Sequence, residues 1–112
     1  MGGSESEMQH GTPIDNHIVA LIISNQTQKV IDKLESDEDK SIISESVNFK
    51  GDTFLHYACA KNNQELVDYL LKKCTRLANV KNNKGQFPHD LATDERVRDT
   101  CKRKAGVQSL LL

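Results

Sequence analysis

Apolar residues recur at helical spacing through the first third of the chain. A first group predicts a helix that ends near Ser24 and carries Ile14, Ile18, Leu21 and Ile22 on one face. We expect Thr12 to cap this helix and Pro13 to lie in its first turn. Val30, Ile31 and Leu34 predict a second helix. The charged run 35–40 has no apolar residue and indicates an exposed loop, and residues 41–47 predict one further helical turn.

The rest of the chain repeats a turn, a short helix, a break and a second helix. Glycine-containing turns are predicted at 48–52 and 79–85, and helices are expected to begin at Thr53, Glu65, Phe87 and just after Asp94. No strand of useful length is expected. The interval from Gly51 to Gly85 is the same as the interval from Ala58 to Ala92. A period of this length is typical of helical repeat arrays.

Residues 50–60, KGDTFLHYACA, resemble the first helix of an ankyrin repeat, G-x-T-P-L-H-x-A-A. Phe54 replaces the usual proline, while the other motif positions hold Gly51, Thr53, Leu55, His56, Ala58 and Cys59. Residues 62–71 resemble the second helix, G-H-x-E-I-V-x-x-L-L, so the well-matched repeat covers 48–81. Residues 84–92 resemble the first helix of a degraded terminal repeat at 82–104. Over 14–47 only the helix spacing is similar. The resemblance implies an all-α ankyrin-repeat solenoid of about three helix-turn-helix units with hairpin loops.

The motif residues have structural roles in this interpretation. Gly51 and Gly85 allow the positive φ that a hairpin tip needs. Thr53 caps a helix, and its hydroxyl is expected to hydrogen-bond the imidazole of His56. Leu55 contributes to the core, and Ala58 is small enough for the next helix pair to pack closely.

The resemblance also implies binding of a partner protein through the concave surface, without catalysis. That surface is made by hairpin tips and first helices, and carried over position by position it holds Lys50, Asp52, Tyr57, Ala60, Lys61, Lys84, Gln86, Leu91, Thr93 and Asp94. Among these Tyr57 is the strongest candidate for a binding hot spot, because aromatic residues dominate interface energetics.

Composition sets the domain organisation. We expect residues 1–13 to be a disordered tail, 14–106 the ankyrin-repeat domain and 107–112 an apolar C-terminal tail. Charge is uneven: residues 1–56 hold four Lys/Arg and ten Asp/Glu (net −6), and residues 57–112 hold eleven and six (net +5), which sum to −1. This asymmetry is compatible with a partner that has a polar surface, but helices exposed to solvent explain such charges more simply.

Residue spacing argues against an enzyme, a cofactor and a metal site. The four histidines share no ligand spacing with the three cysteines, whereas structural zinc needs closely paired ligands. The motif makes His56 and Cys59 structural rather than a base and a nucleophile. No glycine-rich phosphate loop is present. Residues 102–104, three basic residues, are too few to predict nucleic-acid binding.

Three function classes follow: a free-standing adaptor, inhibitor or assembly factor; a regulatory ankyrin segment of a larger enzyme or channel; and a lipid-anchored regulator. The third rests on Gly2, because residues 1–6 fit the N-myristoylation pattern M-G-x-x-x-[ST]. MGGS is also a common artificial leader. Membrane contact is expected only with Gly2 myristoylated. Three distant cysteines favour a reduced protein in the cytoplasm, with the nucleus also open, and we expect a monomer.

Overall fold

The computed structural model describes residues 12–39 and 41–106. Two short strands pair with each other, β1 (Thr12–Pro13) and β2 (Ser46–Val47). The helices are α1 (Asn16–Ile23), α2 (Thr27–Ser36), α3 (Ser41–Glu45), α4 (Phe54–Ala60), α5 (Gln64–Lys73), a 3-10 helix (Thr75–Asn79), α6 (Pro88–Leu91) and α7 (Glu95–Lys104). The expected all-α class of about three helix-turn-helix units is confirmed: α1 and α2, α4 and α5, and α6 and α7 form successive pairs, here called the first, second and third units.

The first unit begins differently from the sequence prediction. Asp15, and not Thr12, is the N-cap of α1, and its carboxylate accepts hydrogen bonds from His17 N at 2.8 Å and Ile18 N at 3.4 Å. Thr12 and Pro13 instead form β1, which runs parallel to β2 with Thr12 opposite Ser46. No strand of useful length was expected, and this pair of two-residue strands is the one strand pairing in the described residues. Residues 41–47 divide between the helical turn of α3 and the extended β2.

The second unit follows its motif closely. Thr53 caps α4 and Asn63 caps α5, accepting from His56 N at 3.4 Å and Leu66 N at 3.1 Å. Between these helices Asn62 has a φ of 54°, a left-handed conformation that asparagine tolerates better than most residues. After α5 the chain continues into the 3-10 helix, which takes the place of the tight glycine turn in the motif.

The third unit is short and polar. Helix α6 is a single turn, and the Asp90 carboxylate accepts from Phe87 N at 2.8 Å, as His56 Nδ1 accepts from Thr53 N in the second unit. Asp94 caps α7, as predicted, and accepts from Arg96 N at 2.8 Å. Only Val97 and Cys101 are buried on α7, so this helix contributes little apolar surface to the core.

The three units stack so that first helices contact first helices and second helices contact second helices: α4 packs on α1 and α6, and α5 on α2 and α7. The layer between units is filled by aliphatic side chains of α5 that are fully or almost fully buried, namely Leu66, Val67, Leu70 and Leu71. This stacking places the hairpins 48–52 and 82–86 side by side. Within the described residues, no helix is long and apolar enough to cross a membrane.

Candidate functional site: a groove between two hairpins

Two asparagines at equivalent positions build the two neighbouring hairpins in the same way. In the first hairpin (48–52), Asn48 Oδ1 accepts from Lys50 N at 2.9 Å and from Asp52 N at 2.8 Å. In the second hairpin (82–86), Asn82 Oδ1 accepts from Lys84 N and Gln86 N, both at 2.9 Å. The asparagine side chain therefore satisfies backbone donors that a tight loop would otherwise leave unpaired.

Direct hydrogen bonds also hold the two hairpins against each other. Asn83 N donates to Lys50 O at 2.8 Å, and the Asn83 amide donates to Phe49 O at 3.0 Å. The Asn82 amide donates to Asp52 Oδ1 at 2.9 Å. Because these bonds run from one hairpin to the other, the spacing of the two tips is fixed before any partner binds.

The hairpin groove is a depression of about 310 Å³ between these two loops. Its lining comes from both hairpins and from α6: Phe49, Lys50, Asp52, Asn82, Asn83, Lys84, Gln86 and Leu91. Five of the ten predicted partner-binding residues are in this set, namely Lys50, Asp52, Lys84, Gln86 and Leu91. The structure thus brings one half of the predicted surface together in one concave place.

Phe49 is the most exposed large apolar side chain among the described residues, with 83% of its surface accessible. Lys50 Nζ lies 5.8 Å from the centre of its ring, within the range of a cation–π contact. Lys50 and Lys84 are exposed at the two tips, and Asp52 is half-buried where the Asn82 amide bonds it. The groove therefore combines an aromatic face with two exposed cations and one carboxylate that already has a donor.

The other five predicted residues lie outside the groove. Ala60 and Lys61 are exposed at the end of α4. Thr93 N and Asp94 N donate to Asn62 Oδ1, at 3.0 and 2.8 Å, so this loop joins the second and third units.

Tyr57, the predicted hot spot of the concave surface, also lies outside the residues that line the groove. Its ring is half-buried and packs on the core, and its hydroxyl accepts a hydrogen bond from the Asn48 amide at 2.6 Å. Its part in partner binding stays a prediction, now for a side chain that also supports the first hairpin.

His56 connects the motif helix to the second hairpin. Its Nδ1 accepts from Thr53 N at 3.1 Å and lies 3.0 Å from Thr53 Oγ1, while Nε2 lies 3.0 Å from Gln86 O. A carbonyl can only accept, so Nε2 carries the proton and the ring is neutral. Burial lowers the pKa of His56, which favours this neutral form. Both ring nitrogens are therefore engaged: Nδ1 bonds Thr53, and Nε2 positions Gln86, a residue of the groove.

The remaining sequence predictions concern metal binding, the hairpin glycines, the core and the two tails. No group of three or more His, Cys, Asp or Glu that could hold a metal ion occurs in residues 12–39 and 41–106. Gly85 has a φ of 77°, and Gly51 has a φ of 83°, as hairpin tips require. Leu55 and Ala58 are fully buried in the core. The lipidation candidate Gly2, like most of the tail 1–13 and all of the tail 107–112, lies outside the described residues.

Two residues that matter most to the groove, Phe49 and Asn82, were not among the predicted partner-binding set. Asn82 had a usable signal, because the interval between Asn48 and Asn82 equals the interval between Gly51 and Gly85. Phe49 stands one position before the motif, and only the structure shows that its ring is left in solvent.

The comparisons agree with this architecture. A family model for ankyrin repeats (3 copies) matches residues 15–103. Comparison with curated proteins and with solved structures gave no significant match. A match over this much of the chain, together with the three stacked units and the Thr53–His56 geometry, shows that the chain belongs to the ankyrin-repeat family.

Proposed function

We propose that this chain is an adaptor, inhibitor or assembly factor that binds a partner protein at the hairpin groove. Ankyrin repeats generally mediate protein–protein interaction and are non-catalytic modules. The observation that carries the proposal is the exposed ring of Phe49 beside a groove whose two walls are hydrogen-bonded to each other.

The chemistry of the groove indicates what the partner presents. Phe49 offers a large rigid apolar face, and aromatic residues of this kind supply much of the free energy of protein interfaces. Lys50 and Lys84 are exposed on either side, and neither has an ion pair among the described residues. A segment with an apolar side chain flanked by carboxylates would satisfy all three groups. The ring is expected to supply most of the affinity, because exposed ion pairs contribute little.

The cellular setting belongs to the same proposal. All three cysteines are free thiols, as expected in a reducing compartment. We propose that the protein acts as a monomer in the cytoplasm, and the nucleus is the alternative location. Fluorescence microscopy of a tagged chain in its host cells checks the location, and a uniform membrane or secretory distribution would contradict it.

The test compares groove variants with matched variants elsewhere on the surface. Phe49→Ala removes the aromatic face, and Ile23→Ala is its control, since Ile23 is the other large apolar side chain left exposed in the described region (49%). The double variant Lys50→Glu/Lys84→Glu reverses both tip charges. Its control, Lys72→Glu/Lys104→Glu, makes the same change in net charge at exposed sites on α5 and α7.

Wild type and each variant are immobilised and incubated with lysate from the native host, and retained proteins are quantified by mass spectrometry. We expect Phe49→Ala to reduce one specific set of retained proteins by about tenfold or more. The charge-reversed groove variant should reduce the same set, and both controls should retain it. If the groove variants bind like wild type while keeping the same helical circular dichroism, the groove is not the binding site.

A further inference from the structure

Two cysteines that are far apart in the sequence meet in the core. Cys59 lies on α4 of the second unit and Cys101 on α7 of the third, 42 residues later. Their Sγ atoms are 2.9 Å apart, and both side chains are completely buried. Cys74, the third cysteine, is half-buried after the end of α5 and contacts neither of them in the structure.

The position of the pair matters because α7 has few buried side chains. Val97 and Cys101 are the only buried side chains on that helix, so local opening of α7 exposes little apolar surface. Segments of this kind open at a lower free-energy cost than the whole domain. Access of a small oxidant to Cys101 therefore requires a local opening of α7, because the closed pair is sealed from solvent.

The two thiols also differ in reactivity. Either thiol can donate the hydrogen bond between the two sulfurs, and when Cys59 is the donor this bond lowers the pKa of Cys101. The same contact and burial raise the pKa of Cys59. Cys101 is thus the sulfur that more readily becomes the nucleophilic thiolate.

We propose that Cys59 and Cys101 form a site of reversible oxidation, at which a disulfide connects the second and third units. A peroxide is the oxidant. The Cys101 thiolate attacks one peroxide oxygen and becomes a sulfenic acid as the O–O bond breaks, and the other oxygen takes up the proton that Cys101 released and leaves as water or an alcohol. The Cys59 sulfur then attacks the Cys101 sulfur, the S–S bond forms, and the sulfenic oxygen leaves as water with the Cys59 proton. A cellular dithiol reverses the step by thiol–disulfide exchange.

The test uses the full chain with Cys74→Ser, which leaves only the two cysteines of the proposed site. The reduced protein is treated with hydrogen peroxide under native conditions and then alkylated. Intact mass should show the loss of two hydrogen atoms with no alkylation, and peptide mapping without reductant should link the peptides that contain Cys59 and Cys101. Cys59→Ala in the same background should abolish the product while keeping the helical spectrum.

A melting experiment supplies a second measurement. The bond would close a loop of 42 residues, and the oxidised Cys74→Ser protein should melt about 5 °C or more above the reduced one. Dithiothreitol should reverse the shift. The proposal is overturned if peroxide leaves both thiols alkylatable, if the disulfide forms between chains, or if the linked protein melts no higher than the reduced one.

Discussion

Gly51 and Gly85 form a natural pair for testing how the groove is held together. They occupy equivalent hairpin tips with φ values of 83° and 77°. An alanine at either tip has to adopt the left-handed region, which costs about 1–2 kcal/mol. At Gly85 this is the whole cost, because a β-carbon there has no atom of another residue within 4 Å apart from its chain neighbours.

Gly51 carries a second cost from the neighbouring hairpin. A β-carbon there would lie 2.7 Å from Asn83 Oδ1 and 2.8 Å from Asn83 N, both too close. Asn83 would have to move, and it would lose its bonds to Lys50 O and Phe49 O. At about 0.5–1.5 kcal/mol for each bond, added to the strain of the tip, Gly51→Ala should cost about 2–5 kcal/mol.

Urea unfolding followed by circular dichroism measures both variants. We expect the free energy of unfolding to fall by about 1–2 kcal/mol for Gly85→Ala and by clearly more for Gly51→Ala, with unchanged slopes. Partner binding should weaken only for Gly51→Ala once both proteins are compared well below their melting temperatures. Equal destabilisation of the two variants would refute the account of hydrogen bonds between the hairpins.

Three further predictions follow from the core and its polar contacts. Leu70→Ala should lower the free energy of unfolding by about 2–5 kcal/mol, and a melting temperature close to wild type would remove Leu70 from the core. Tyr57→Phe should cost about 0.5–1.5 kcal/mol through loss of the Asn48 bond, measured by urea unfolding. Burial lowers the pKa of His56, so the unfolded chain binds a proton at higher pH than the folded one, and stability should fall as the pH drops below about 6.5. His56→Gln should flatten this dependence, although His89, whose pKa is also lowered by burial, keeps part of it.

The sequence predicted the second unit well because its information is local. Thr53 and His56 lie within one helical turn of each other, so cap and motif are visible in one short window, and the apolar face of α5 follows helical spacing. The N-terminus could not be predicted in the same way. Thr12 is extended because it pairs with Ser46, a partner in a distant part of the sequence, and no local pattern announces that pairing.

The groove residues also divide into those that local sequence predicts and those that depend on contacts between units. Motif positions place Lys50 and Lys84 at the hairpin tips whatever the surrounding sequence. The exposure of Phe49 and the partial burial of Tyr57 depend on how neighbouring units pack. The sequence of a single repeat does not determine that packing. The Cys59–Cys101 contact likewise arises only when α7 packs onto the second unit.

The groove and the cysteine pair both include residues of the third unit, Leu91 in the groove and Cys101 in the pair. One wall of the groove is the second hairpin, which is fixed by His56 and Asn83, and α6 and α7 follow directly after it. Partner binding at the proposed site would require this unit to remain docked, and a disulfide between Cys59 and Cys101 would oppose its release. Any two events that favour the same docked state favour each other. Oxidation should therefore raise partner affinity, and bound partner should raise the equilibrium constant for disulfide formation against a dithiol buffer by the same factor. Measuring partner affinity for the reduced and oxidised Cys74→Ser protein tests this coupling, and equal affinities would show that the third unit is already fully docked without the bond.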